Sequence, residues 1–293
     1  MLLSFTGKLH AEPRIVGMEL RRAALAAFTT RQPLEKVQAV QALCAQEASA
    51  VVDAASHYTE DPAPGRPDTP ALLEPDAVPR RSPFTPEGHA ALMHAIAHIE
   101  FNAINLALDA VWRFAGMPAP YYRDWLRVAF EESQHFMLLQ AHLQTLGYAY
   151  GDFGAHDGLW TVCHDTRHDI LARMALVPRT LEARGLDATP IIQARLRRVG
   201  TPAAQAAVEI LDTILREEVG HVAIGNRWFH WLCDRDGHDP LAVYPVLAQR
   251  HRAPRLKPPF NVGARRAAGF GEAELQALDQ MHQRSSDVAV VAK

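Results

Sequence analysis

DWLRVAFEESQHF, residues 124–136, sets Glu132 and His135 three positions apart inside a row of apolar side chains. Residues three apart on an α-helix project from nearly the same side, so this pair can converge on one point. Trp125, Val128, Ala129, Phe136 and Leu139 fall at the 3–4 spacing of a buried stripe that also carries Glu132, His135 and His142. The pattern occurs once more: REEVGHVAIGNRWF, residues 216–229, sets Glu218 and His221 on a stripe with Leu211, Ile214, Leu215, Val222 and Gly225. No other Glu-x-x-His is found, although the chain holds 15 His and 33 acidic residues.

Each Glu-x-x-His follows a segment that places a single glutamate on its apolar face. Glu100 lies with Met93, Ile96, Ala97, Ala103, Ile104, Ala107 and Val111, and Glu182 lies with Leu171, Ala175 and Pro178. Carboxylates on interior stripes are costly unless paired or metal-bound. The order Glu100, Glu132/His135, Glu182, Glu218/His221 is the ligand set of helix bundles that hold two iron or manganese ions, one Glu from each of two helices and one Glu-x-x-His from each of the others. Carboxylates can bridge two cations, and imidazole suits iron, whereas calcium and magnesium prefer all-oxygen shells. The absence of cysteine from the set disfavours structural zinc. Two iron ions are therefore expected, with manganese or a mixed pair served by the same ligands.

The stripes predict an all-α protein, a ferritin-like four-helix bundle over residues 86–235. Its helices are expected at about 86–116, 121–146, a third around Glu182 ending at Gly185, and about 202–234. Thr85-Pro86 and Thr201-Pro202 read as caps and first helical positions, and Gly116 and Gly147 as stops. Pro178, one turn before Glu182, predicts a kink beside the metals, because proline cannot donate to the carbonyl four residues back. Such a bundle needs a long crossover between its second and third helices. With helix ends about 14 residues from the metals, that crossover spans about 40 Å at about 1.5 Å per residue. Residues 147–158 barely reach this distance at about 3.3 Å each, so some of 159–167 is expected to belong to it.

Residues 1–85 are expected to pack on the bundle as one helix at about 34–56 and a proline-rich arm at 61–86, whose Arg80 and Arg81 read as solvated. Residues 236–293 form an extension. Its segment 250–266 carries six Lys or Arg and no acids, and is expected to lie over the acidic bundle, with an anionic substrate or nucleic acid as the alternative. Residues 282–293 read as disordered. A net charge of −3 gives no global reason to expect nucleic acid or an anionic membrane as partner. Widely spaced Cys44, Cys163 and Cys233 suggest reduced thiols in a cytoplasmic protein, and no uninterrupted apolar run reaches membrane-spanning length.

The stretches AHIEFNAINLALDA (97–110), DWLRVAFEESQHF, YGDFGAHDGLW (150–160), LARMALVPRTLEARGLD (171–187) and REEVGHVAIGNRWF resemble an uncharacterised bacterial family of ferritin-like proteins, formerly a domain of unknown function. The resemblance runs from the proline-rich arm to about residue 270. It implies the ferritin-like fold and a di-metal centre at the same six positions, and it implies no reaction. A weaker similarity, through the site alone, links the chain to the tRNA-hydroxylating di-iron monooxygenases.

Each Glu-x-x-His is preceded by a further acid. Metal-bound histidines commonly donate their second N–H to a carboxylate, so Glu131 is expected to orient His221 and Glu217 to orient His135 across the helix interface. Asp212 has a weaker claim to such a role. His94 and His98 point away from Glu100, His142 reads as a hydrogen-bonded core histidine, and His164 with His168 as a solvated pair.

Together these features predict an oxygen-dependent di-iron oxidoreductase of hydroxylase, desaturase or oxidase type, with dioxygen as co-substrate, a small organic substrate and an electron-donor protein as partner. The alternatives are a ferroxidase or iron-handling protein and a tRNA-modifying hydroxylase. The long flanking segments favour the first reading. A buried apolar cavity beside the metals separates it from iron handling.

Overall fold

The computed structural model describes residues 17–280, and every regular element among them is helical. α1 (Leu20–Thr29) and α2 (Pro33–Ala45) precede the proline-rich arm, which runs extended except for a short turn at Pro75–Ala77. α3 (Pro86–Arg113) and α4 (Ala119–Thr145) follow, then α5 (Gly158–Asp165), α6 (Ile170–Leu176), a π-helical segment (Val177–Glu182), α7 (Ala183–Val199) and α8 (Pro202–Asp236). α9 (Pro240–Arg250), α10 (Val262–Ala267) and a helical stretch at 272–280 complete the described chain. The end of the chain, for which the sequence predicts disorder, lies outside the described residues.

α3 is the central helix. It packs most extensively on α4 and is also covered by α1 and α5. Thr85 opens it, its hydroxyl accepting from Gly88 N at 3.1 Å, with Pro86 at the first turn. The helix is long and apolar enough to cross a membrane, but 78% of its most apolar window is buried inside the protein, as befits a core helix. α4 packs on α8, and α8 packs on α6, the π-helical segment and α7. The three cysteines are free thiols.

The N-terminal region departs from expectation. The helix predicted at about 34–56 is α2, which ends at Ala45, and α1 before it was not anticipated. Residues 50–52 instead run extended, with Leu20 N donating to Val51 O and Val51 N donating to Met18 O, both at 2.9 Å. The 10-residue α1 is too short to be stable alone. Contacts supply what its length cannot: Arg21 is buried and donates to the carbonyls of Asp53, Ser56 and Trp112.

Between α4 and α6 the chain crosses over with α5 inside the connection, so part of 159–167 does belong to it. The arm ties this crossover to α3. Leu72 bridges to Ala155, and Arg66 holds both oxygens of Asp157 at 2.6 Å while also reaching Asn102. Arg81 pairs with Glu87 at 3.0 Å.

The third helix also differs from the reading. Gly185 does not end it; α7 runs on to Val199 and stops at Gly200, whose φ of 71° is the left-handed C-cap conformation. A helical glycine costs only about 1 kcal/mol relative to alanine, and burial of Leu186, Gln193 and Leu196 on the same helix carries it through. The anticipated distortion at Pro178 takes the form of the π-helical segment rather than a simple bend. The Thr180 hydroxyl donates to Ala175 O at 2.8 Å, which leaves Tyr244 to donate to Thr180 Oγ1 at 2.9 Å.

Gly225 lets α8 approach this segment. A Cβ at residue 225 would lie 2.4 Å and 2.6 Å from the ring carbons of Pro178, and a proline ring cannot swing aside. Gly225→Ala is expected to destabilise the protein by about 1–3 kcal/mol through overpacking, measured as a lower urea midpoint with an unchanged slope.

Candidate metal centre

All six residues singled out by spacing are buried: Glu100 on α3, Glu132 and His135 on α4, Glu182 at the end of the π-helical segment, and Glu218 and His221 on α8. Ligand atoms of Glu100, Glu132, His135 and Glu218 all lie within 4.8 Å of one another. His135 Nδ1 is 3.3 Å from both Glu100 Oε2 and Glu132 Oε2. His221 Nδ1 is 2.9 Å from Glu132 Oε1 and 3.5 Å from Glu218 Oε1. Glu132 thus turns one oxygen to each histidine, and the two imidazoles sit 5.7 Å apart.

His221 and Glu182 stand outside the tight group of four, and neither oxygen of Glu182 finds a hydrogen-bond partner among the described residues. Glu218 Oε2 is likewise unpartnered. Buried carboxylate oxygens without donors are costly. A cation is one way to satisfy such oxygens, and the four grouped residues carry a donor set that could hold a metal ion. Of the six residues expected from the sequence, Glu100, Glu132, His135 and Glu218 are placed together for a metal ion, with His221 beside Glu132 and Glu182 farther out.

The second nitrogen of each histidine is engaged across the helix interface. His135 Nε2 is 2.8 Å from Glu217 Oε2, and His221 Nε2 is 2.7 Å from Glu131 Oε2. The contact makes Nε2 the donor and leaves Nδ1 of each ring turned to the acids. Arg127 adds a link that the sequence reading did not single out: it lies 3.5 Å from Glu131, one helical turn away. The i, i+4 spacing of the two residues was the available signal.

The electrostatics follow from enclosing so many acids. Burial, then the charge of Glu132, pushes Glu100 up to about 8. Burial and the charges of Glu218 and Glu132 push Glu182 well above the carboxylate range. For Glu132, burial and Glu218 act in the same direction, but His221 and His135 outweigh them and hold it low. Burial disfavours the charged form of His135, yet hydrogen bonds to Glu100 and Glu132 raise it to about 11. His221 is raised well above the usual histidine range in spite of its burial, by Glu132 and then Glu218. Protons on these groups offset part of the buried negative charge.

Other candidates lie elsewhere. Asp212 accepts from Gln193 at 2.6 Å on a half-exposed surface away from the cluster. His94 accepts from Gly151 N, and His98 contacts Tyr150 and Asn102, so both hold the crossover to α3. His142 is a core residue, but its Nε2 has no partner among the described residues, contrary to the hydrogen-bonded role expected; its ring packs 5.6 Å from that of His89. His164 and His168 are exposed.

A family model described as "Protein of unknown function (DUF455)" matches residues 29–276. The chain belongs to this family. The DUF455 protein is similar to an uncharacterised protein of Haemophilus influenzae, with 51% identity over 224 residues that cover 74% of this chain and 77% of the relative. No solved structure matches the DUF455 chain.

Two outcomes are expected for the DUF455 centre. Glu100, Glu182 and both histidines carry protons near neutral pH that cations must displace, so uptake of ferrous ion releases protons. Affinity should then rise with pH through about 8, where Glu100 titrates; calorimetry in buffers of different ionisation enthalpy measures the release. Glu131→Gln and Glu217→Gln should each weaken metal binding by about 10–100-fold, read by chelator competition, with the helical circular-dichroism spectrum unchanged.

Proposed function

We propose that α3, α4, the π-helical segment with α7, and α8 form a ferritin-like bundle holding two metal ions, iron being the best fit. We further propose that the protein uses them for dioxygen-dependent oxidation of a small organic molecule. The reading is carried by one observation: both Glu-x-x-His histidines turn Nδ1 to the buried carboxylate of Glu132, and each is held from behind by an acid of the opposite helix.

Paired iron ions with dioxygen supply oxidising power that amino-acid side chains lack. The chain's own part is to hold and tune. Glu132 presents one oxygen toward each histidine and suits a shared position between two cations. Glu100 and Glu182 would supply further carboxylate oxygens to the ions. Glu217 and Glu131 set the histidine tautomers and raise their basicity. Apolar neighbours on the same stripes, among them Ala97, Val128, Ala129, Phe136, Leu211 and Val222, are buried and keep water from the site. An external electron donor completes the reaction.

The iron-handling alternative draws support from the cavities. Those of about 240 and 190 Å³ are lined by none of the six residues, so neither offers an organic substrate direct access to them.

Elemental analysis after anaerobic loading should give two iron equivalents per chain for the wild type and less than one for Glu132→Ala or Glu218→Ala. Full retention by either variant would overturn the site. Catalytic dioxygen consumption sustained by a reductant supports the oxidoreductase; oxygen uptake that stops once the added ferrous iron is oxidised supports iron handling.

A further inference from the structure

The basic segment 250–266 supplies part of a cavity that the metal centre does not use. This cavity, of about 240 Å³, is lined by residues of α9, α10, the C-terminal helical stretch and, from the π-helical segment, Arg179. Leu241, Tyr244, Leu256, Phe270 and Leu278 give it apolar walls, and Arg179 and Arg265 give it two cations. Both arginine side chains are buried, 5% and 0% exposed.

The polar accounting around these two guanidinium groups leaves a remainder. Glu274 accepts from Arg179 at 2.6 Å, from His230 at 3.0 Å and from Gly271 N at 2.8 Å. Asp187 accepts from Arg265 at 2.6 and 3.1 Å and from Asn261 N at 2.8 Å. Asn226 and the Ala183 carbonyl take further arginine N–H groups. After all of this, Arg179 Nε and Arg265 Nη1 still have no acceptor among the described residues, although both atoms are buried. Each unmet buried donor on a charged group is costly, and both arginines are part of the cavity lining.

We infer that this cavity binds a small organic carboxylate, with its head on Arg179 and Arg265 and an apolar body against Leu241, Tyr244 and Leu256. A monoanion fits better than a phosphate dianion. Glu274 and Asp187 already offset the two arginine charges, so the site offers hydrogen-bond donors and apolar surface rather than a large excess of positive charge. Exposed Arg255 and Lys257, on either side of Leu256, add a local field that draws anions to the mouth. Arg179 lies three residues before Glu182, so the ligand would sit beside the segment that carries a candidate metal residue. The binding itself does not depend on the metal reading, and it is tested without metal.

The test is calorimetric titration of the full-length, metal-free protein with hexanoate, with hexanamide as the uncharged counterpart and inorganic phosphate as competitor. One hexanoate per chain is expected, with hexanamide weaker by about tenfold or more through loss of the charged hydrogen bonds, and with no displacement by phosphate. Replacing Arg265 would strand Asp187 and endanger folding, so the cavity is instead filled from its rim. Leu241, 43% exposed, tolerates a larger side chain, and Leu241→Trp should abolish hexanoate binding without lowering the melting temperature. No binding by the wild type, equal binding of hexanoate and hexanamide, displacement by phosphate, or unchanged binding by a folded Leu241→Trp would each overturn the proposal.

Discussion

Four carboxylates enclosed with two imidazoles in an apolar interior are the constraint around which the rest of this structure is arranged. Such a concentration of acid does not stay in a core unless something offsets it. Protons can do so in part, which is why Glu100 and Glu182 are pushed up while both histidines are held charged. The unpartnered oxygens of Glu182 and Glu218 mark where protons and hydrogen bonds fall short. Six groups that would destabilise a helical core in isolation thus become a reason for four helical segments to stay in register.

The π-helical segment Val177–Glu182 is the element most shaped by that constraint. Pro178 cannot complete the α-helical hydrogen-bond ladder. The wider turn absorbs the defect, with Thr180 reaching back to Ala175 and Tyr244 bracing Thr180 from α9. Gly225 removes the side chain that would otherwise collide with the proline ring. Pro178 and Thr180, with Gly225 and Tyr244 from distant parts of the sequence, therefore act together on where Glu182 ends up. π-segments often accompany functional sites, and this one is braced by surrounding contacts as such strain requires.

The flanking segments have separate uses. The arm and crossover clasp each other over α3 through Arg66 and Asp157, with His94 and His98 as buried anchors. The C-terminal extension packs on α7 and α8. Ala268, Phe270 and Leu275 pack with Ala183 and Val222, which adjoin Glu182 and His221 in the chain. Of the basic residues in 250–266, Arg265 is spent inside on Asp187, whereas Arg255 and Lys257 remain at the surface. The segment packs on the protein as expected, but by burying a single arginine rather than by spreading charge over an acidic face.

The sequence by itself determined what period and spacing can encode. Three-residue spacing puts Glu132 with His135 and Glu218 with His221 on one side of a helix, and apolar stripes point those sides inward. Caps at Thr85 and Thr201 and stops at Gly116 and Gly147 are local rules, so the long helices were legible to within a few residues. The cross-pairing of Glu131 with His221 and Glu217 with His135 could be anticipated because it needs only two adjacent helices. Tertiary structure alone decided the rest. α1 is too short to form without α3, and α2 yields to the bridge at Val51. Gly185 stays helical because the residues after it are buried. The close approach of Gly225 to Pro178, and the meeting of Arg179 with Arg265 at one cavity, join positions whose proximity no local period records. Local periodicity dictates which face of a helix is apolar, whereas the partner of that face is chosen by the packing of the whole chain.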